Sequence, residues 1–142
     1  MQVEVCNRQS ALECPAEAVR EVIRLALEKE GGDAELSVAL VGDAEMAALN
    51  ERFMGSDAVT DVLAFLYESE GKFINGEIVA NAELAVRESA SRPHDAADEL
   101  MLYVVHGLLH LLGYDDDSPE ATQRMRRREQ DILRAAGRAV AF

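Results

Sequence analysis

No stretch of this 142-residue chain is apolar for long enough to cross a bilayer. Met1–Cys6 alternates polar and apolar residues and lacks the basic-then-apolar layout of an export signal, so a cytoplasmic location and no membrane partner are expected. Two cysteines, Cys6 and Cys14, are too few for a disulfide framework and lack the paired spacing of a zinc knuckle. They are expected to be reduced, partly buried thiols. No linker, repeat or low-complexity tract interrupts the chain, which predicts one domain over residues 1–142. Positive charge is scarce: 14 Lys and Arg face 27 Asp and Glu, a net of −13. Residues 1–114 hold 8 of the basic and 21 of the acidic side chains, and residues 115–142 hold 6 of each. So acidic a chain repels phosphate backbones at long range. That argues against broad, non-specific nucleic-acid binding and leaves room for a local basic groove.

What is present is apolar residue in quantity, 49% of the chain, enough for a sizeable core. Met1–Cys6 is expected to form a first strand. Pro15 suits a first helical position, and Val19, Val22, Ile23 and Ala26 recur at helical spacing until Gly31-Gly32. Glu35–Val41 alternates as a strand: Leu36, Val38 and Leu40 share one face, while Ser37, Ala39 and Val41 share another that is also largely apolar. Such a strand is expected to be covered on both sides. Asp43 is the expected cap of a second helix carrying Met46, Leu49, Asn50 and Phe53 and closed by Gly55. Val62–Leu66 and Gly76–Ala80 are short apolar runs, expected to be buried strands, with a polar hairpin or loop around Glu68–Lys72. Ala82–Ser91 is expected to be helical, stopped by Arg92-Pro93. Asp95–Leu112 has the strongest helical pattern, apolar over most of its circumference, and Gly113 ends it. Ser118 and Pro119 then open a last helix with Met125, Ile132, Leu133 and Ala136 on its inner face. This order predicts an α+β layered domain, a small mixed sheet of about four strands packed with about five helices.

Histidine is rare, yet two of the three, His106 and His110, lie four residues apart on the strongest helix. That spacing puts both rings on one face, one turn apart, where they can reach a single cation. Gly113 permits a sharp turn through positive φ, which can swing Tyr114-Asp115-Asp116-Asp117 back toward the rings. Two histidines and a carboxylate suit zinc or another divalent first-row metal and leave a coordination position open for an acidified water that attacks an ester. Asp116 is the expected third ligand, with Asp117 as the alternative. Asp115 or Asp117 would then orient a histidine N–H. No side chain is assigned as catalytic; the nucleophile expected is the metal-bound water. A metalloprotease built on such a helix places glutamate after its first histidine, where this chain has Gly107. A two-histidine, one-carboxylate iron oxygenase normally needs more strands than the pattern offers.

The run His106-Gly107-Leu108-Leu109-His110-Leu111-Leu112-Gly113-Tyr114-Asp115 closely resembles the signature of the YbeY family of metal-dependent endoribonucleases. Leu49-Asn50, Gly55, Asp57, Thr60-Asp61-Val62-Leu63 with Phe65, and then Gly76-Glu77-Ile78-Val79, resemble two further blocks of that family in the same order. The resemblance implies cleavage of single-stranded RNA in ribosomal-RNA maturation and ribosome quality control, with one divalent ion, zinc foremost. Its implied partners are ribosomal RNA or the small ribosomal subunit, with ribosome-associated proteins besides. It also implies that Thr60 and Asp61 line the cleft facing the metal helix, against an ordinary role as a strand cap. The chain departs from the family pattern at Asp116, where a third histidine is usual, and at Met54, where an arginine is usual. A non-catalytic ribosome-assembly module is the competing expectation. Two further features stand apart from the motif. Arg124, Arg127 and Arg128 share a helical face that can meet RNA phosphates or pair with acids, as Glu120–Arg124 and Arg127–Asp131. Glu83 opens a helix as a general base or an ordinary first-turn acid, and His94 is expected at the surface or as a cap.

Overall fold

The computed structural model describes residues 1–142. Its elements run β1 (Gln2–Asn7), α1 (Ala16–Glu30), β2 (Asp33–Val41), α2 (Asp43–Met54), β3 (Val62–Glu70), β4 (Phe73–Asn81), α3 (Ala82–Ser89), α4 (Ala96–Leu111) and α5 (Pro119–Ala135). Four strands and five helices make the α+β fold that the sequence predicts. The sheet order is β1-β2-β4-β3, with β1, β2 and β4 parallel and β3 antiparallel to β4. No helix is long and apolar enough to cross a membrane.

Burial follows the alternation of β2. Leu36, Val38 and Leu40 join the main core with α1, α4 and α5 on one side of the sheet. Ala39 and Val41 join Met46 of α2, Leu63 and Val79 in a smaller cluster on the other. β2 is therefore covered on both faces from Val38 to Val41, while Ser37, on the second face, is exposed. Eleven of the sixteen residues of α4 are buried. The helix lies close against the sheet because Gly107 has no side chain: a Cβ there would sit 3.0 Å from Val62 Cγ2 and 3.2 Å from Ile78 Cγ2. Gly76 of β4 is tighter still, 2.7 Å from the Phe65 carbonyl oxygen and 3.0 Å from Leu111 Cδ1 for the same imagined atom.

Several sequence expectations shift. Pro15 is the N-cap of α1, one residue before the helical position expected for it. Gly42, not Asp43, caps α2; Asp43 is helical, and its carboxylate accepts from Asn81 Nδ2 and Arg87 instead. β3 is neither short nor wholly buried. It continues to Glu70 and is exposed from Leu66 onward. Its outer half is held by main-chain pairing with β4 across the Gly71 turn, so an apolar run marks only the half that packs. His94 is not at the surface: it is buried, with Nε2 2.6 Å from Glu99 Oε1 and Nδ1 accepting from the Ala141 N–H at 3.2 Å. The Glu120–Arg124 and Arg127–Asp131 pairs do not form; Asp131 lies 3.9 Å from Arg134, and Arg128 pairs with Glu30 at 2.8 Å.

Candidate metal centre

The buried apolar surface of α4 fixes that helix, and one polar stripe remains on it: Glu99, Tyr103, His106 and His110, spaced four, three and four residues apart. The helix ends where Gly113 takes φ 105°, a left-handed conformation open to glycine. The Tyr114 N–H then bonds back to the Leu109 carbonyl at 3.0 Å, and the chain reverses. Two consequences follow for the histidines. The Tyr114 carbonyl lands 3.0 Å from His110 Nδ1, and Asp116 returns so that its Oδ2 lies 3.8 Å from Nε2 of both rings. Tyr114 is itself held by its hydroxyl, which donates to Glu30 Oε1 at 2.7 Å and accepts from Arg128 Nε at 3.1 Å.

The hydrogen bonds determine the tautomers. A carbonyl can only accept, so His110 carries its proton on Nδ1. Glu129 of α5, 2% exposed, places Oε2 2.8 Å from His106 Nδ1, which fixes that proton likewise. Both Nε2 lone pairs then aim at one point, and the two atoms are 3.1 Å apart. Two acceptors at that separation repel unless a cation or a proton lies between them. Ligand atoms around a tetrahedral zinc stand about 3.3 Å apart. The histidine pair meets that spacing, and the half-exposed Asp116 reaches it by a movement of roughly half an ångström. His106, His110 and Asp116 form the group of ligand atoms lying within 4.8 Å of one another, so the donor set fits a divalent ion. Burial pulls the His106 pKa down, but the Glu129 hydrogen bond and charge, with the charges of Asp61 and Asp116, outweigh it and raise the value. Asp117 is outside this group; it faces Asp115, whose carboxyl raises its pKa.

A cleft of about 510 Å³ runs along the polar stripe from this point. Thr60 and Asp61, at the entry to β3, form part of its wall. Asp61 is also a strand cap, accepting from the Val62 N–H at 2.7 Å, so the two roles weighed for it coexist. Arg124 and Arg127 do not line the cleft; Arg126 of the same helix does. Glu83 is not there either: its Oε1 accepts from the Asp43 N–H at 2.9 Å and caps α2. At the far end, Glu99 is completely buried and accepts from the Nε2–H of neutral His94. Its Oε2 has no hydrogen bond of good geometry, only the Arg92 guanidinium 3.3 Å away. Burial, first, and Glu99, second, raise the pKa of the neighbouring Tyr103 phenol.

Sequence reasoning missed three residues. Glu129 meets His106 across 23 residues of chain, and its one signal was an acid on the apolar face of α5. Glu99 is hidden the same way in α4. Asn81, fully buried, caps α3 by accepting from the Glu83 and Leu84 N–H groups and donates to Asp43 and to the Thr60 carbonyl. An Asn immediately before Ala82-Glu83-Leu84 was a readable cap signal.

A family profile described as Endoribonuclease YbeY matches residues 4–137. An Endoribonuclease YbeY of Salinispora tropica is 41% identical over 142 residues, covering 88% of this chain and 89% of that protein. One of Anaeromyxobacter sp. (strain Fw109-5) is 44% identical over 107 residues, covering 74% of this chain; the chain spans 56% of that relative's length. The solution structure of TM1509 from Thermotoga maritima has the same fold, with a TM-score of 0.65 at 24% identity over 94% of this chain and 91% of that one. The profile match over residues 4–137 and a relative 41% identical over 88% of this chain show that the chain belongs to the YbeY endoribonuclease family.

Proposed function

We propose that this chain is a metal-dependent endoribonuclease that cuts single-stranded RNA in the cytoplasm, in ribosomal-RNA maturation and ribosome quality control. The observation that carries the reading is the convergence of His106 Nε2, His110 Nε2 and Asp116 Oδ2 at one end of a cleft, in a chain of this family. Those three residues hold the ion, and zinc suits their two imidazoles and one carboxylate. Bound there, the ion supplies Lewis acidity and an acidified water for phosphodiester hydrolysis. The chain's own residues prepare the site. Glu129 and the Tyr114 carbonyl keep protons on both Nδ1 atoms, so the Nε2 lone pairs stay available. Thr60 and Asp61 form the wall past which the strand lies. Ribosomal RNA, presented free or in the small subunit with its associated proteins, is the substrate this reading assigns.

A non-catalytic module has less support. Of the two features that suggested it, the acid excess and Met54, the second is 63% exposed at the end of α2 and outside the cleft lining. The test is incubation of single-stranded RNA with zinc-loaded protein. Cutting that stops with a chelator and with His106→Ala is expected. Cutting that survives both overturns the metal mechanism, and no cutting by the wild type overturns the enzyme reading.

A further inference from the structure

The cleft is short of positive charge. Asp61, Glu88, Glu99, Asp116 and Glu129 all line it, and its cations are Arg92 and Arg126. The two arginines are not equivalent. Arg92 lies 3.3 Å from Glu99 and 3.5 Å from Glu88, so its charge is already met by two carboxylates. Arg126 takes part in no ion pair, whereas Arg128 and Arg134 of the same helix do. Its guanidinium carbon instead stands 5.1 Å from the centroid of the Phe142 ring, which is 53% exposed and also lines the cleft. Stacking on a ring sets the guanidinium plane while leaving its N–H edges free, and a planar fork of donors matches a phosphate. Arg126 is three residues before Glu129, so one face of α5 presents both the carboxylate that anchors His106 and an unspent cation about 4.5 Å further along the helix axis.

We propose that Arg126, set by Phe142, is the contact through which the cleft takes a phosphodiester of single-stranded RNA, and that the Phe142 ring stacks a base of the same strand. The inference rests on the proposed function and adds to it where the strand is held. It also explains how so acidic a chain engages a polyanion: the phosphate enters at the one cleft cation that pairs with no carboxylate side chain, three residues before the glutamate that anchors His106, and the surrounding acids exclude other registers. Arg124 and Arg127, exposed on α5 and outside the cleft, take no part.

The test is the salt dependence of binding of a fluorescent single-stranded RNA with a phosphorothioate backbone, which keeps its charge and resists cutting, to zinc-loaded protein. Loss of one phosphate contact lowers the slope of log K against log salt by about 0.7. Arg126→Ala is expected to lower the slope by that amount and weaken binding roughly tenfold. Phe142→Ala is expected to weaken binding by about tenfold with the slope unchanged, since stacking releases no counterion. Arg124→Ala and Arg127→Ala should leave affinity and slope as in the wild type, and metal content should be equal in all five proteins. An unchanged slope in Arg126→Ala, or a change as large in Arg127→Ala, overturns the inference alone. Wild-type protein that binds no single-stranded RNA overturns the proposed function and this inference together.

Discussion

At the residue scale, the centre is a competition between a proton and a metal for one pair of lone pairs. Glu129 and the Tyr114 carbonyl hold both Nδ1 protons in place, so whatever occupies the gap between the two Nε2 atoms must be positive. The pKa of His106 lies above its ordinary 6.5, although burial opposes this, because Glu129, Asp61 and Asp116 favour the charged ring. The sign follows directly. Below that raised pKa a proton occupies Nε2 and must leave before a metal binds. Apparent zinc affinity should therefore fall by about tenfold per pH unit below the pKa, beginning above pH 6.5. Competition against a chromophoric chelator measures this, and an affinity flat down to pH 6.5 would contradict it. The histidine pair and the Gly113 turn were legible in the sequence because they are local, set by helical spacing and one positive φ. Glu129, Glu99 and the buried role of His94 were not, because each depends on a contact made only when distant parts of the chain pack together.

At the scale of elements, α4 presents its two histidines from a helix that lies close against the sheet. Gly107 on α4 faces Val62 and Ile78 of the sheet, and Gly76 on β4 faces Leu111 of α4 and the Phe65 carbonyl of β3. The neighbours differ in kind: methyl groups of Val62 and Ile78 at Gly107, a backbone carbonyl at Gly76. Methyl groups can give way and a backbone cannot. Gly76→Ala is thus expected to cost about 1–3 kcal/mol by overpacking. Gly107→Ala should cost less, since the gain in helix propensity offsets it by about 1 kcal/mol. Urea unfolding of both variants tests the ranking, and a Gly107→Ala penalty larger than that of Gly76→Ala would contradict it. Gly107 also shows why a glycine follows the first histidine here: the position faces the sheet, not the cleft, and has no room for a glutamate. The alternation of β2 made its two-sided burial legible. The outer half of β3 was not, because its pairing is made by the main chain, which carries no hydrophobic signature.

At the scale of the molecule, the fold class came from the order of elements, but the placing of β4 between β2 and β3 did not. That order puts the strand with two apolar sets in the middle and leaves polar-ended β3 at an edge. It also brings the start of β3, with Thr60 and Asp61, opposite α4 and so creates the cleft. The charge of −13 bears on function through its arrangement: acids crowd the cleft, a divalent ion held by His106, His110 and Asp116 would offset two of them, and one cleft guanidinium stays outside any ion pair. All of this turns on a metal being held where the two imidazoles meet. The most direct test is the metal content of untagged, freshly purified protein beside His110→Ala and Asp116→Ala. About one divalent ion per chain in the wild type, lost in both variants, is the expected result for a two-histidine, one-carboxylate site. A wild-type chain that holds no metal, even after reconstitution with zinc, would contradict the account.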